Sequence, residues 1–174
     1  MSEYHDRLHD GSRVLLRPLR VADAALYPDF LASLTPRDLR LRFFAPMREV
    51  PAPLIEKLIH YDPQYAIALI SIEEASGRML GVVRVHDDAT GAGGEFAIIV
   101  RSNLKGHGLG WFMMHHMIEA ARAKGLKTMH GQVLAENTTM LKMCAELGFQ
   151  IDDEPGDPGI KKVTLSLQQA PARS

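Results

Sequence analysis

The stretch Glu95 to Gly110, EFAIIVRSNLKGHGLG, constrains this chain more than any other. Phe96 to Val100 are continuously apolar and rich in β-branched side chains, the composition of a strand covered on both faces. Gly106, Gly108 and Gly110 then alternate with His107 and Leu109, so the backbone can turn tightly and open a helix near Leu109. The free amides and the positive dipole end at such a helix entrance point the same way, which makes it an anion site.

Which anion depends on the spacing. A dinucleotide loop, GxGxxG, needs a third glycine where this chain has Trp111, and no GxxxxGK string followed by Ser or Thr occurs. The pattern that remains is V-x-x-x-x-[Q/R]-G-x-G-[L/I]-G, matched by Val100 to Gly110 with Lys105 in place of Gln or Arg. It resembles the pyrophosphate signature of the GNAT acetyltransferase superfamily; a glycine-rich turn without a ligand is the plain alternative. The resemblance implies acetyl-CoA as cofactor. By it, Lys105, Gly106, His107, Gly108, Leu109, Gly110 and Trp111 cradle the pyrophosphate, and the backbone of Ile98, Ile99 and Val100 holds the pantetheine arm, with one amide for the oxyanion.

The rest of the chain is consistent with one domain over residues 12–167, between a loose polar segment at 1–11 and a tail at 168–174. A strand at SRVLLRPL leads into helical spacing over Arg20 to Ser33, with a cap at Asp23 and a break expected at Pro28. Thr35-Pro36 starts a short helix, and PLIEKLIH makes another. Tyr65 to Glu73 and Arg78 to His86 read as an antiparallel hairpin. Leu109 to Lys124 is a helix burying Leu109, Phe112, Met113, Met117 and Ala120, closed by Gly125. Lys127 to Ala135 is a strand, Thr138 to Leu147 a helix, and Phe149 to Asp152 and Lys161 to Leu167 are the last strands. This order predicts an α/β (α+β) fold, a mixed, mostly antiparallel sheet of about six to seven strands with helices on both faces, which is also the GNAT order of elements.

The 20 basic and 21 acidic residues balance to a net charge of −1, which gives no reason to expect a nucleic-acid or membrane partner. A single cysteine, Cys144, rules out an intrachain disulfide framework, and no apolar run reaches membrane-spanning length, so a cytoplasmic protein is expected.

ENTTMLKMCAELGF resembles the second GNAT signature, N-x-x-A-x-x-x-Y-x-x-x-G-F. Asn137 and Gly148-Phe149 match, and the resemblance gives Asn137 and Met140 to the coenzyme A site. Where the family's tyrosine acid would stand the chain has Cys144, which shares a helical face with Met140 and Leu147 and reads as a small core residue.

The substrate poses the harder proton problem, because an alkyl ammonium with a pKa near ~10.4 is almost wholly protonated at pH 7. Glu95, on the strand face of Ala97 and Ile99, is the candidate base. Glu95-Phe96-Ala97 and LRFF at Leu41 to Phe44 resemble the GNAT domains that acetylate protein lysines in bacterial acyl-CoA synthetases. That implies a protein lysine as acceptor; a small amine, or a silent acetyl-CoA sensor, is the alternative. Adjacent His115 and His116 lie about 100° apart on a helix and cannot share one metal. His60, Tyr61 and Asp62 could line a substrate cleft, with a polar turn the favoured reading, and Arg37, Arg40 and Arg42 read as a solvated basic face.

Overall fold

The computed structural model describes residues 3–44, 47, 49–104 and 106–168. A single mixed sheet runs through it. Its strands are β1 (Tyr4–Arg7), β2 (Arg13–Pro18), β3 (Ala66–Glu73), β4 (Met79–Asp87), β5 (Gly93–Val100), β6 (Thr128–Leu134), β7 (Gln150–Glu154) and β8 (Asp157–Ser166). They lie in the order β1-β2-β3-β4-β5-β6-β8-β7. All neighbours are antiparallel except β5 and β6. Eight strands exceed the six or seven expected. The addition is β1, which forms inside the segment expected to be loose and pairs Tyr4 with Leu16 through Arg7 with Arg13.

Among the described residues five α-helices flank the sheet: α1 (Tyr27–Ala32), α2 (Pro36–Phe43), α3 (Ala52–Ile59), α4 (Leu109–Lys124) and α5 (Thr138–Glu146). The break expected near Pro28 falls one turn earlier, where a 3-10 turn over Val21–Leu26 passes into α1 with the proline in its first turn. Asp23 is not the cap itself. It is the third residue of the turn, and its carboxylate accepts from the Arg20 amide at 2.8 Å and from the Arg17 guanidinium at 2.7 and 2.8 Å. Thr35 caps α2 by accepting from the Asp38 amide at 3.1 Å.

Each face of the sheet has its own core. Val83, Val85, Phe96 and Ile98 pack with α4 and Cys144 of α5 on one side. Ala68, Ile70, Ile72, Val82 and partly buried Ile99 pack against Tyr27, Phe30 and Leu39 on the other. A strand covered on both faces has no polar side to alternate with, hence the apolar run of β3 from Ala66 to Ile72, broken only by the buried Ser71. On α4 the five expected residues are buried together with Met114, Ile118 and Ala121. Each fully buried methionine there contributes ~1.5–3 kcal/mol by removal from water. Among the described residues no helix is long and apolar enough to cross a membrane.

Candidate active site

The site begins where two parallel strands part. β5 and β6 pair only at Gly93–Thr128, Gly94–Met129 and Glu95–His130. Beyond Glu95, β5 stays on β4 as far as Val100 opposite Gly81, while β6 follows β8 to Leu134 opposite Ile160. The β5 edge from Phe96 to Val100 therefore turns unpaired backbone groups into the gap, which require a partner. Phe96 fills the root of the gap. Its ring lies 5.4 Å from that of Phe149 and so close to Gly131 that a Cβ there would stand 2.8 Å from it.

The gap widens into a cleft of about 1080 Å³. Of the residues expected to serve catalysis or cofactor binding, it is lined by Glu95, Ile98, Ile99, Val100, Gly106, Gly108, Gly110, Trp111, Asn137 and Met140. Lys105 lies outside the described residues. Two others play different parts. Leu109 is 1% exposed and packs in the core, so only its backbone reaches the loop surface. His107 does not line the cleft, and its carbonyl accepts from the His9 amide at 3.2 Å.

The loop has the shape an anion site needs. Gly108, at φ 91°, is the N-cap of α4, and Phe112 is the first residue whose amide closes a helical turn, onto the Gly108 carbonyl at 3.1 Å. The amides of Leu109, Gly110 and Trp111 thus lack an acceptor within the helix. His9 presses on the outside of this turn: a Cβ on Gly108 would stand 2.9 Å from His9 Nε2. Arg7 and His9, from β1 and the turn after it, also line the cleft, and nothing in their sequence marked them. Across the gap, Asn137 caps α5 by accepting from the Met140 amide at 3.3 Å. An ion pair between Arg40 of α2 and Glu136 ties the two walls together.

At the other end stands Glu95, exposed at the mouth and ~17 Å along the strand from Val100 at ~3.3–3.4 Å per residue. His86 and His130 occupy the positions opposite it on β4 and β6. His130 is held by Asp88 at 2.9 Å, and the Thr90 hydroxyl and His130 bring the Asp88 carboxyl down to about 2. Neither histidine was apparent as a neighbour of Glu95 before the register was known.

The reading of His60, Tyr61 and Asp62 as cleft lining gives way to the polar-turn alternative, because these side chains found partners elsewhere in the fold. His60 and Tyr61 do not line the cleft; the Tyr61 hydroxyl donates to the Leu19 carbonyl at 2.8 Å, and His60 sits against the Glu56 carbonyl at 3.0 Å. Asp62 is likewise off the cleft and accepts from the Gln64 amide at 2.9 Å. The run Arg37, Arg40, Arg42 is not a uniformly solvated face, because Arg42 turns inward beside Arg84. Burial first, and then Arg84, bring its pKa down to about 10. Cys144 is fully buried, and burial pushes its thiol up to about 12.

Residues 30–149 match the family model described as the Acetyltransferase (GNAT) family. This chain belongs to the GNAT acetyltransferase family: it is an acetyl-CoA-dependent acetyltransferase. It is 30% identical over 154 residues to the acetyltransferase PA5475 of Pseudomonas aeruginosa, covering 87% of this chain and 83% of that one. It is also 30% identical over 121 residues to the L-methionine sulfoximine/L-methionine sulfone acetyltransferase of Pseudomonas paraeruginosa, covering 65% and 69%. In fold it is similar to the GNAT domain of S. lividans PAT, with a TM-score of 0.86 at 23% identity over 94% of this chain and 96% of that one. YncA of Salmonella typhimurium, a structure with its cofactor acetyl-CoA, superposes with a TM-score of 0.70 at 19% identity over 91% and 96%.

Proposed function

We propose that this acetyltransferase carries the acetyl group to the ε-amine of a lysine in a folded protein, such as an acyl-CoA synthetase, working in the cytoplasm. The observation that carries this reading is the position of Glu95. It stands exposed at an open mouth, within reach of a side chain presented from outside, and not at the floor of an enclosed pocket. Its place within the EFA string and the fold likeness to the GNAT domain of S. lividans PAT support the same reading.

Acetyl-CoA supplies the thioester carbonyl. Glu95 takes one proton from the lysine ammonium, directly or through water, and frees the nitrogen lone pair. The nitrogen bonds to the carbonyl carbon, and an unpaired β5 amide stabilises the oxyanion that forms. Collapse breaks the carbon–sulfur bond, and the thiolate leaves with the electron pair. A thiol titrates near ~8.5, so this leaving group collects its proton from water without a tyrosine. The second proton of the former amine goes to solvent.

The test is acetylation of three acceptors side by side: a folded acyl-CoA synthetase, a lysine peptide and a polyamine. The folded protein is expected to be modified fastest. Efficient turnover of small amines, with the protein left unmodified, contradicts the lysine reading. One observation favours that second reading, a small amino-acid acceptor. The Pseudomonas paraeruginosa relative is named for L-methionine sulfoximine and L-methionine sulfone.

A further inference from the structure

Next to Glu95 the cleft wall contains a guanidinium that the transfer step does not use. Arg42 stacks on the ring of its neighbour Phe43 at 4.6 Å and, among the described residues, makes no hydrogen bond or ion pair. It borders both the main cleft and a small void of about 20 Å³. Arg84 and Tyr27 border the same void. Arg84 turns both terminal nitrogens onto the Leu58 carbonyl at 3.2 Å. The Tyr27 hydroxyl, on a residue only 3% exposed, makes no hydrogen bond of good geometry and has the Arg84 guanidinium as a polar neighbour.

This arrangement is costly unless something completes it. A half-buried guanidinium with no carboxylate bonded to it loses hydration that its surroundings return only in part, and a buried hydroxyl without a well-aligned partner adds to the cost. Stacking on Phe43 returns only a fraction of that. The void holds at most one water, which can link the Tyr27 hydroxyl to the guanidinium, so a larger group must reach Arg42 from the main cleft. The planar fork of Arg42 is matched by a carboxylate, which takes two parallel hydrogen bonds from it. The charges agree. Of the charged side chains acting on Arg42, Arg84 adds a second cation and Glu95 the one carboxylate, so an acceptor carrying a carboxylate beside its amine brings Arg42 a negative charge of its own.

We propose that Arg42, backed by Tyr27 and Arg84, is a carboxylate seat, and that the preferred acceptor presents a carboxylate close to the amine delivered to Glu95. This rests on the reading of Glu95 as the acceptor end. The carboxylate can come from an acidic side chain flanking a lysine or from a free amino acid.

Four probes separate these sources: lysine peptides flanked by Glu or by Gln, and L-methionine sulfone or its decarboxylated amine. Each is titrated into the protein saturated with coenzyme A, and each is assayed for KM with acetyl-CoA. Within at least one pair the carboxylate-bearing member is expected to bind ~10-fold or more tightly, as a charge-assisted hydrogen bond predicts. Arg42→Met should erase that preference while the coenzyme A Kd stays unchanged. Arg42→Lys should keep part of it and serves if the methionine variant does not fold. Equal binding within both pairs, binding of none of the probes, or a preference that survives Arg42→Met overturns the seat. Preference within the amino-acid pair alone, with the peptides ignored, keeps the seat and contradicts the lysine reading. Peptides acetylated regardless of their flanking acid, with no preference within the amino-acid pair either, do the reverse.

Discussion

Cys144 shows how much one position can decide. In the family signature its place belongs to a tyrosine that can protonate the departing thiolate, and spacing alone suggested that this cysteine was packing instead. It is fully buried in the α4–α5 core, and a thiol held up at about 12 is a poor proton donor to a thiolate whose own acid titrates near ~8.5. Cys144→Ala should therefore cost ~1 kcal/mol of stability, read from a denaturant melt, and leave turnover nearly unchanged. A hundredfold fall in turnover with acetyl-CoA still bound would give the thiol a chemical role. The same shift has a pH signature. A group whose folded pKa is raised stabilises fully below its unfolded value and loses that contribution as pH climbs through the folded one. Melting temperature should fall between about pH 9 and 12, and Cys144→Ala should flatten that fall. Arginines were harder to read. Arg37, Arg40 and Arg42 look alike as a run, yet Arg40 spans the cleft to Glu136 while Arg42 turns inward, and only tertiary contacts separate them.

At the scale of elements, strong periodicity made structure legible. The β3–β4 hairpin, α4 from Leu109 to Lys124 and its Gly125 cap follow directly from apolar spacing and glycine placement. The glycine loop could be read because few loops need three alternating glycines. β1 could not, since YHDR is a polar edge strand with no apolar alternation, and its pairing depends on β2. Its consequence is local to the loop, where His9 packs on Gly108. Gly108→Ala must hold a side chain at φ 91° and displace His9, so both stability and coenzyme A affinity should fall. Gly110→Ala is the cleaner probe. Its Cβ meets only the flexible Met143 side chain, at 3.3 Å, so calorimetry should show weaker coenzyme A binding with little change in melting temperature. Unchanged affinity in both variants would remove the loop from cofactor binding.

The β4–β5 turn below Glu95 gives a second prediction at this scale. Asp88 accepts from the Thr90 amide at 2.9 Å and hydroxyl at 2.5 Å and holds His130 across the sheet. Its carboxyl is brought from 3.8 to about 2, so its stabilisation is complete above pH 3.8 and disappears as pH falls through about 2. Asp88→Asn should be less stable than the parent at neutral pH, with the gap closing in acid unfolding near pH 2. A gap that persists unchanged at pH 2 would show that the charge is not what matters.

For the whole molecule, function comes from one departure from regular pairing. β5 and β6 share three residue pairs and then separate, so a single strand carries the candidate base at its start, unpaired backbone along its edge and the glycine loop beyond its end. The apolar run of β5 announced a central strand, but its separation from β6 was not legible. Both strands are fully apolar or mixed along the gap, and the register that parts them is set by β8 and by the Phe96 ring beside Gly131. The central claim is that this geometry transfers acetyl to an amine with Glu95 as base. The most direct measurement is release of coenzyme A thiol from acetyl-CoA, with and without a lysine-bearing folded acceptor, in the parent and in Glu95→Gln across pH 6.5 to ~9.5. Release should require the acceptor and drop ~10²–10⁴-fold in the variant. The deficit should narrow as pH rises, because the free-amine fraction grows roughly tenfold per unit below the amine's pKa. Release at the parental rate in Glu95→Gln, or a deficit independent of pH, would contradict it.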